Sequence, residues 1–354
     1  MLQVNFSQAV NLIRTIGDTN TLLFLGQPGI GKSSLLAAAA QAMPDYHPCY
    51  LDVSTLDIGD LGLPLVNREE HTTTFAPDER LGLGRSQTKP VLLLLDEVTK
   101  PSSKAAMHMV LPTILERRVR DRYLPAGSRV FGTGNLMSDN VGDILPGQAW
   151  NHMTVVDMGN PTTDAWIEDY AVPNGLAAEV ILFARENPQI FQRYDEMGER
   201  ETNPYNFNPR IGQVRACCTP RSMAKASFVV DARDQLGDAM LPALAGTVGE
   251  PAARMIEANI ALNAKLPSLA SIAADPVRVR LPSDVSQYFL IALKMAYAAN
   301  DKTLAAFSKY ALRWDSFEAK NLFSAQVASR PRTAGTHIKC VEFMELAAQM
   351  GKYV

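Results

Sequence analysis

Leu22-Leu23-Phe24-Leu25-Gly26-Gln27-Pro28-Gly29-Ile30-Gly31-Lys32-Ser33-Ser34-Leu35-Leu36-Ala37-Ala38 is the stretch on which the fold turns. A continuous apolar run stops at a glycine, and after the G-x-x-x-x-G-K-S spacing a run of strong helix formers begins. A strand before that spacing and a helix after it predict a loop that cradles phosphate. Gly26, Gly29 and Gly31 can take dihedrals closed to other residues, so successive backbone N–H groups turn inward, with Pro28 and Ile30 completing the loop. The helix beginning near Lys32 points its positive end at the same spot. Lys32 brings a point charge for β- and γ-phosphates. Ser33 carries a hydroxyl suited to a Mg²⁺ shell, and Ser34 closes the phosphate-binding segment. The plainer alternative is a glycine-rich turn with a solvated lysine, and the flanking elements argue against it.

Further along, Val91-Leu92-Leu93-Leu94-Leu95-Asp96-Glu97 reads as a fully apolar strand ending in two carboxylates. At such a tip Asp96 can hold Mg²⁺ through water, and Glu97 can orient and polarise an attacking water. A strand whose acidic end merely caps the next helix is the competing reading. The gap between the two motifs leaves room for one strand–helix unit and an insertion.

Outward from these motifs, short apolar runs at 21–25, 48–53, 91–95, 129–133 and 153–158 alternate with helical patterns. Continuous rather than alternating apolar character predicts strands of a parallel sheet covered by helices on both faces. Beyond residue 160 the strand signals fade. Amphipathic helical segments are expected at 162–172, 176–186, 221–234, 240–263, 284–298, 301–313, 315–328 and 335–350. Asn160-Pro161 and Ser283 read as helix starts. The span 193–219, with Asn203-Pro204, Asn208-Pro209 and Thr219-Pro220, reads as a loop. The expected organisation is an α/β nucleotide-binding core over 1–159, a helical subdomain over 160–265 and a helical C-terminal extension over 266–354.

Composition narrows the function classes. The chain has 354 residues, 47% hydrophobic and 20% charged, which excludes general disorder. It has no apolar stretch of membrane-spanning length, so no membrane association is expected. Residues 1–11 lack the basic-then-apolar layout of a secretory leader. Cys49, Cys217, Cys218 and Cys340 show neither metal-ligand spacing nor a disulfide framework, which predicts a reduced, cytoplasmic protein. A net charge of −3 gives no global basic field for nucleic acid.

The two motifs together resemble the AAA+ ATPases, and within them the MoxR-like branch that includes dynein-related domains. Val130-Phe131-Gly132-Thr133-Gly134-Asn135 resembles the family's fourth core strand, which ends in the sensor-1 residue. The resemblance implies that the Asn135 amide touches γ-phosphate and attacking water; an asparagine in a tight turn is the alternative. Thr219-Pro220-Arg221-Ser222 resembles sensor 2, implying that Arg221 reaches the γ-phosphate from a helical lid; a surface arginine at a helix start is the alternative. Motif support extends to about residue 260. The span from 52–64 through 74–77 resembles an insertion that faces the ring pore in relatives. Its own punctuation predicts a hairpin with strands at 63–66 and 72–75, or else a solvated loop. Arg117-Arg118-Val119-Arg120-Asp121-Arg122-Tyr123-Leu124-Pro125 reads as a short, basic hairpin.

The resemblance implies a P-loop AAA+ core with a parallel sheet, then an α-helical lid and an all-α C-terminal extension. It further implies an ATP hydrolase using ATP and Mg²⁺, assembled as a homo-oligomer, a hexameric ring in relatives. The ring would remodel or activate a protein client or a von Willebrand factor A-type partner. Two alternatives stand beside it: a nucleic-acid motor lined by Arg117, Arg118, Arg120 and Arg122, and a low-turnover, nucleotide-gated scaffold. One departure is evident. Relatives carry, after sensor 1, an arginine that enters the neighbouring subunit's site, whereas in Leu145-Pro146-Gly147-Gln148-Ala149-Trp150-Asn151-His152-Met153 that place falls to His152. Neutral imidazole cannot replace a permanent guanidinium fork. Protonated His152, Arg117 or Arg118 acting in trans, or slow hydrolysis are the open outcomes.

Overall fold

The computed structural model describes residues 2–76, 79–81, 83, 89–135, 147–193, 203–206, 216–329 and 337–351. The strands are β1 (Gln3–Val4), β2 (Thr21–Leu25), β3 (His47–Asp52), β4 (Leu63–Asn67), β5 (Thr72–Ala76), β6 (Val91–Asp96), β7 (Arg118–Val119), β8 (Arg122–Tyr123), β9 (Arg129–Gly134) and β10 (Met153–Met158). Among the described residues, six of them form one sheet in the order β1-β10-β2-β9-β6-β3, every pair parallel. The helices of this part are α1 (Phe6–Ile16), α2 (Leu35–Ala42), α3 (Lys104–Glu116) and α4 (Gly147–Asn151).

Successive side chains of a strand point to opposite faces, so a strand apolar throughout needs cover on both sides. Leu22 and Phe24 of β2, Leu92 and Leu94 of β6 and Phe131 of β9 pack with Ala9 and Ile13 of α1 and Leu35 and Ala39 of α2. Leu23, Leu25, Leu93, Leu95 and Val130 point the other way, onto Ala106, Met107, Val110 and Ile114 of α3. α1 starts at Asn5, whose side chain accepts from the Gln8 N–H while the Gln8 side chain accepts from the Asn5 N–H, a reciprocal capping box. α3 starts on Ser103, which accepts from the Ala106 N–H at 3.0 Å.

The chain divides into two units, Met1–Pro161 and Thr162–Val354. The second is helical in its described residues: α5 (Thr163–Trp166), α6 (Ala178–Glu186), α7 (Pro220–Asp231), α8 (Arg233–Leu236), α9 (Met240–Val248), α10 (Glu250–Asn263), α11 (Leu269–Ala274), α12 (Val285–Ala298), α13 (Leu304–Leu312), α14 (Phe317–Ala328) and α15 (Val341–Gln349). α5 runs directly into a π-helical turn, Ile167–Ala171. Two apolar clusters fill this unit, and α12 serves both. Its Phe289, Leu290 and Leu293 join Trp166, Phe183, Met223 and Ile256. Its Ile291, Ala292, Met295 and Ala296 join Phe307, Tyr310, Trp314, Phe323 and Phe343. A helix that buries apolar residues on more than one face is stable in water only as such a central element.

The structure departs from the expected helix limits in places with clear physical causes. The helix expected at 240–263 is two helices, because Gly249 adopts φ 89 and ψ 152 and Pro251 follows in the first turn of α10. Asp284, rather than Ser283, caps α12 by accepting from the Gln287 N–H at 2.9 Å. Thr162, rather than Asn160-Pro161, caps α5 by accepting from the Ala165 N–H at 3.1 Å. α15 begins at Val341 after a short 3₁₀ turn, His337–Lys339, while residues 335–336 lie outside the described residues. Within the loop expected at 193–219, only 193, 203–206 and 216–219 are described. Both expected hairpins form: β4 with β5 from Leu63↔Ala76 to Asn67↔Thr72, and β7 with β8. Pro77, the last residue of the insertion as read from sequence, lies outside the described residues. Among the described residues, no helix is long and apolar enough to cross a membrane.

Two glycines offer a paired test. A Cβ on Gly249 would lie 3.0 Å from the Ala216 carbonyl oxygen at φ +89, whereas a Cβ on Gly246, inside α9, meets nothing within 4 Å. Urea unfolding is expected to show Gly249→Ala losing about 1–2 kcal/mol. The same measurement should show Gly246→Ala gaining about 0.5–1 kcal/mol. Equal effects of the two would contradict this account of the α9–α10 break.

Candidate nucleotide site

The sheet order places β9 between β2 and β6, with Leu25 beside Gly134 and Gly132 beside Leu95. The C-terminal tips of the three strands therefore deliver Gly26, Asn135 and the Asp96–Glu97 pair to one edge. From β2 the chain crosses to β3 at the far side of the sheet, while β10 returns on the other flank of β2. Such a switch point opens a crevice at the strand tips, the usual place for a ligand in an open α/β sheet.

The loop after β2 is shaped by contacts that tolerate little substitution. A Cβ on Gly26 would lie 2.6 Å from Ile30 Cδ1 and 2.9 Å from the Met158 carbonyl oxygen. Gly29 and Gly31 take φ 83 and 101, in the region closed to most L residues. Ile30 is buried and anchors the loop among α1, α2 and the sheet, whereas Pro28 and Ser34 are exposed. Lys32–Ser34 forms a 3₁₀ turn that leads into α2.

Lys32 is 6% exposed. Its ammonium donates to the carbonyls of Gly26 at 2.7 Å and Gln27 at 2.9 Å, and to Asn135 Oδ1 at 3.1 Å. The other end of the same amide, Asn135 Nδ2, donates to Glu97 Oε2 at 3.0 Å. Which amide atom is oxygen and which is nitrogen follows from the charges: the acceptor must face the ammonium and the donor the carboxylate. Asn135 is fixed in turn by its own N–H, which donates to Thr99 Oγ1 at 3.3 Å.

Asp96 is gripped by hydroxyls. Ser33 Oγ donates to its Oδ2 at 2.9 Å and Tyr50 Oη donates to the same oxygen at 3.1 Å. Thr133 Oγ1 donates to Oδ1 and accepts from the Glu97 N–H at 3.4 Å. Glu97 itself sits at φ 55, an unfavourable backbone conformation for a non-glycine residue, which costs about 1–2 kcal/mol. Strain of this kind collects at functional sites. Burial, and next the Asp96 carboxylate, push the Tyr50 hydroxyl up to about 12, so it remains a donor.

Among the described residues, no group of three His, Cys, Asp or Glu could hold a metal alone. Ser33 Oγ and Asp96 Oδ2 nevertheless present a hydroxyl and a carboxylate oxygen 2.9 Å apart. That oxygen-only pair fits Mg²⁺, which takes one or two protein ligands and completes its shell with water and phosphate.

The residues expected from sequence fall into separate places. Gly26, Pro28, Gly29, Ile30, Gly31, Lys32, Ser33, Ser34, Asp96, Glu97 and Asn135 lie in the first unit around this crevice. Arg221 belongs to the second unit, exposed in the first turn of α7, where Thr219 and Ser222 make a capping box. His152 is exposed just before β10, at the end of the strands where Met153 faces Thr21, away from its own chain's loop. Of the stretch quoted with it, Leu145 and Pro146 lie outside the described residues.

Of the arginines put forward to act in trans, or to line a channel, Arg117, Arg118 and Arg120 are engaged within their own chain. Arg117, in the left-handed region at φ 56, donates to Thr21 Oγ1 and to the Gly17 carbonyl at 3.1 Å, and burial lowers its pKa. Arg118 pairs with Glu116 at 2.9 Å. Arg120 stacks its guanidinium 5.0 Å over the Phe75 ring, and the Phe75 N–H donates to Asp121 Oδ2 at 3.4 Å, so the two hairpins touch.

Sequence reasoning missed Tyr50, Thr133 and Thr99. A signal for Thr133 was present: it stands between Gly132 and Gly134, and a Cβ on Gly134 would lie 2.6 Å from Thr99 Cγ2. Small residues on both sides of a hydroxyl at a strand end mark close approach.

No protein-family model matches the chain. It is 24% identical over 220 residues to the Lon protease of Phenylobacterium zucineum, an alignment covering 58% of the chain and 27% of that protein. Among solved structures it is similar to a RuvB mutant from Thermotoga maritima, at 13% identity and TM-score 0.39, covering 87% of this chain and 85% of that one. It is also similar to NtrX from Brucella abortus, at 10% identity and TM-score 0.31, covering 73% and 68%. At these values the likenesses add nothing to the chain's own geometry.

Arg117 provides a test of structural against catalytic use. Arg117→Met should lower the unfolding free energy by about 1–3 kcal/mol, since it leaves the Gly17 carbonyl without its charged donor. Nucleotide affinity, followed by fluorescence of a labelled ATP, should stay within twofold. A stable Arg117→Met protein with lost affinity would contradict this placement.

Proposed function

We propose that the chain is a Mg²⁺-dependent ATP hydrolase of the AAA+ type, related to the MoxR-like branch, that works as a homo-oligomeric ring on a protein partner. The observation that carries the reading is the Asn135 amide spanning the Lys32 ammonium and the Glu97 carboxylate at 3.1 and 3.0 Å. A loop that only binds nucleotide has no need of a carboxylate aimed into it. Glu97 is held by a neutral donor, is placed one residue beyond Asp96, and can accept a proton from water. As the water oxygen bonds to the γ-phosphorus, its proton passes to Glu97, the bond from the γ-phosphorus to the β,γ-bridging oxygen breaks, and ADP and phosphate result.

Lys32 would supply positive charge to the β- and γ-phosphates, and the loop N–H groups would receive their oxygens. Ser33 and Asp96 would hold Mg²⁺, which, when bound, neutralises charge on the phosphate oxygens. Arg221 would add a second cation from the helical unit. His152 stands where relatives carry the arginine that acts in trans, and removing such a clamp can cost about 10³–10⁵ in rate. Slow basal turnover therefore accompanies the reading.

A protein partner is favoured by the exposed hairpins. Leu63, Leu65 and Val66 of β4 are 65%, 55% and 67% exposed, and Tyr123 of β8 is 69% exposed. Apolar side chains held out on a two-stranded ribbon suit contact with polypeptide better than with phosphate. Engagement of Arg117, Arg118 and Arg120 weakens the nucleic-acid alternative.

Two substitutions separate binding from chemistry. Lys32→Ala should weaken binding of labelled ATP at least 100-fold. Glu97→Gln should bind ATP within a few-fold of the wild type while phosphate release falls about 10²–10⁴-fold. With ATP bound, Glu97→Gln should assemble into rings by light scattering, and single-stranded DNA should leave its wild-type parent's turnover unchanged. Wild-type turnover in Glu97→Gln would sink the assignment of the water-activating residue.

A further inference from the structure

The second unit contains an open groove of about 1100 Å³ that the nucleotide chemistry does not use. It is lined by the π-helical turn after α5, by the residues that follow that turn, and by one face of α14, with Phe289 and Tyr297 of α12 contributing. Its base is apolar: Ile167, Val172 and Phe289 are 7%, 1% and 4% exposed, and Leu322 and Ala325 of α14 add to it. The turn is π-helical, with i→i+5 hydrogen bonds, a rare form that is frequent at functional sites.

The polar chemistry of the groove is one-sided. Its lining includes the carboxylates of Asp164, Glu168 and Glu318 against a single guanidinium, that of Arg185. That guanidinium is already engaged, 3.6 Å from Glu318 and 4.3 Å over the Phe289 ring. The groove therefore offers acceptors and negative charge around an apolar base. Whatever fills it must bring donors, positive charge and apolar surface together.

We propose that this groove binds a cationic amphipathic segment of a partner protein, with apolar side chains at i and i+4 on Leu322 and Ala325 and lysines or arginines facing Asp164 and Glu168. Helix-in-groove docking uses this division of labour. The carboxylates are exposed, so each ion pair adds little affinity and instead selects and steers the ligand. Burial of the apolar anchors supplies the binding energy. The volume is at the upper end of the range for small-molecule pockets, which suits several side chains of a peptide. Nucleic acid is disfavoured by the like charge of the rim.

A phage-displayed library of random 12-residue peptides panned against the full chain tests this. The enriched peptides should carry at least two Lys or Arg together with apolar residues at helical spacing. In fluorescence anisotropy, a labelled synthetic copy should bind at least tenfold more weakly to Glu168→Lys and, separately, to groove-filling Ala325→Trp. ATP affinity and melting temperature should be unchanged in both, and Glu168→Lys guards against a folding defect in the second variant. No enrichment, enrichment without basic residues, or binding indifferent to both substitutions would overturn the proposal. Equal binding of peptides with their apolar residues replaced by serine, displaced by spermidine, would make this a polycation site and overturn it too. None of these outcomes bears on the ATPase reading.

Discussion

A buried ammonium organises the first unit. Taking a lysine charge out of water is costly unless several acceptors replace the lost hydration. Lys32 finds them in two carbonyls of its own loop and in the amide oxygen of Asn135. The third acceptor comes from more than a hundred positions along the chain, and it reaches Lys32 only because β9 lies directly beside β2. Sheet order, loop conformation and the position of Glu97 thus constrain one another. The Asn135 amide passes the constraint on by presenting its nitrogen to the carboxylate. Thr133, two residues earlier, ties Asp96 to the backbone of Glu97.

The second unit is organised around a packing constraint instead. α12 buries residues on every side, so the cluster containing Phe183 and the cluster containing Trp314 cannot rearrange independently of it. A polar network runs beside it: the Asn263 amide donates to the buried Glu179 carboxylate, and Lys294 of α12 donates to Asn263 Oδ1 at 2.9 Å. Burial lowers the Lys294 pKa while Glu179 opposes the shift, as expected for a cation retained by a nearby carboxylate. The groove is lined by this helix and by α14. A partner seated there would therefore press on the core of the unit and not on a loose edge.

Much of the architecture was legible in the sequence because its signals are local. The loop after β2 declares itself through fixed glycine spacing, and β2 and β6 through apolar runs that suit a covered parallel sheet. The two hairpins were legible from their turn residues. What was hidden depended on neighbours far along the chain. Tyr50 reads as an ordinary strand aromatic until β3 is known to pair with β6, which brings its hydroxyl to Asp96. Arg117 reads as one of a surface basic run, yet it ends α3 in a left-handed conformation and turns inward to Thr21. The break at Gly249 was missed because α9 and α10 share one continuous amphipathic pattern, and apolar periodicity does not register a single residue's φ.

The central claim is that a triphosphate replaces the loop carbonyls as the partner of Lys32. A crystal structure with Mg²⁺ and a non-hydrolysable ATP analogue tests it most directly. The expected result is phosphate oxygens on the backbone N–H groups of residues 29–33, Lys32 Nζ moved from the Gly26 and Gln27 carbonyls onto phosphate, and the cation beside Ser33 and Asp96. Triphosphate bound away from this loop, or bound here with Lys32 still on those carbonyls, would contradict it.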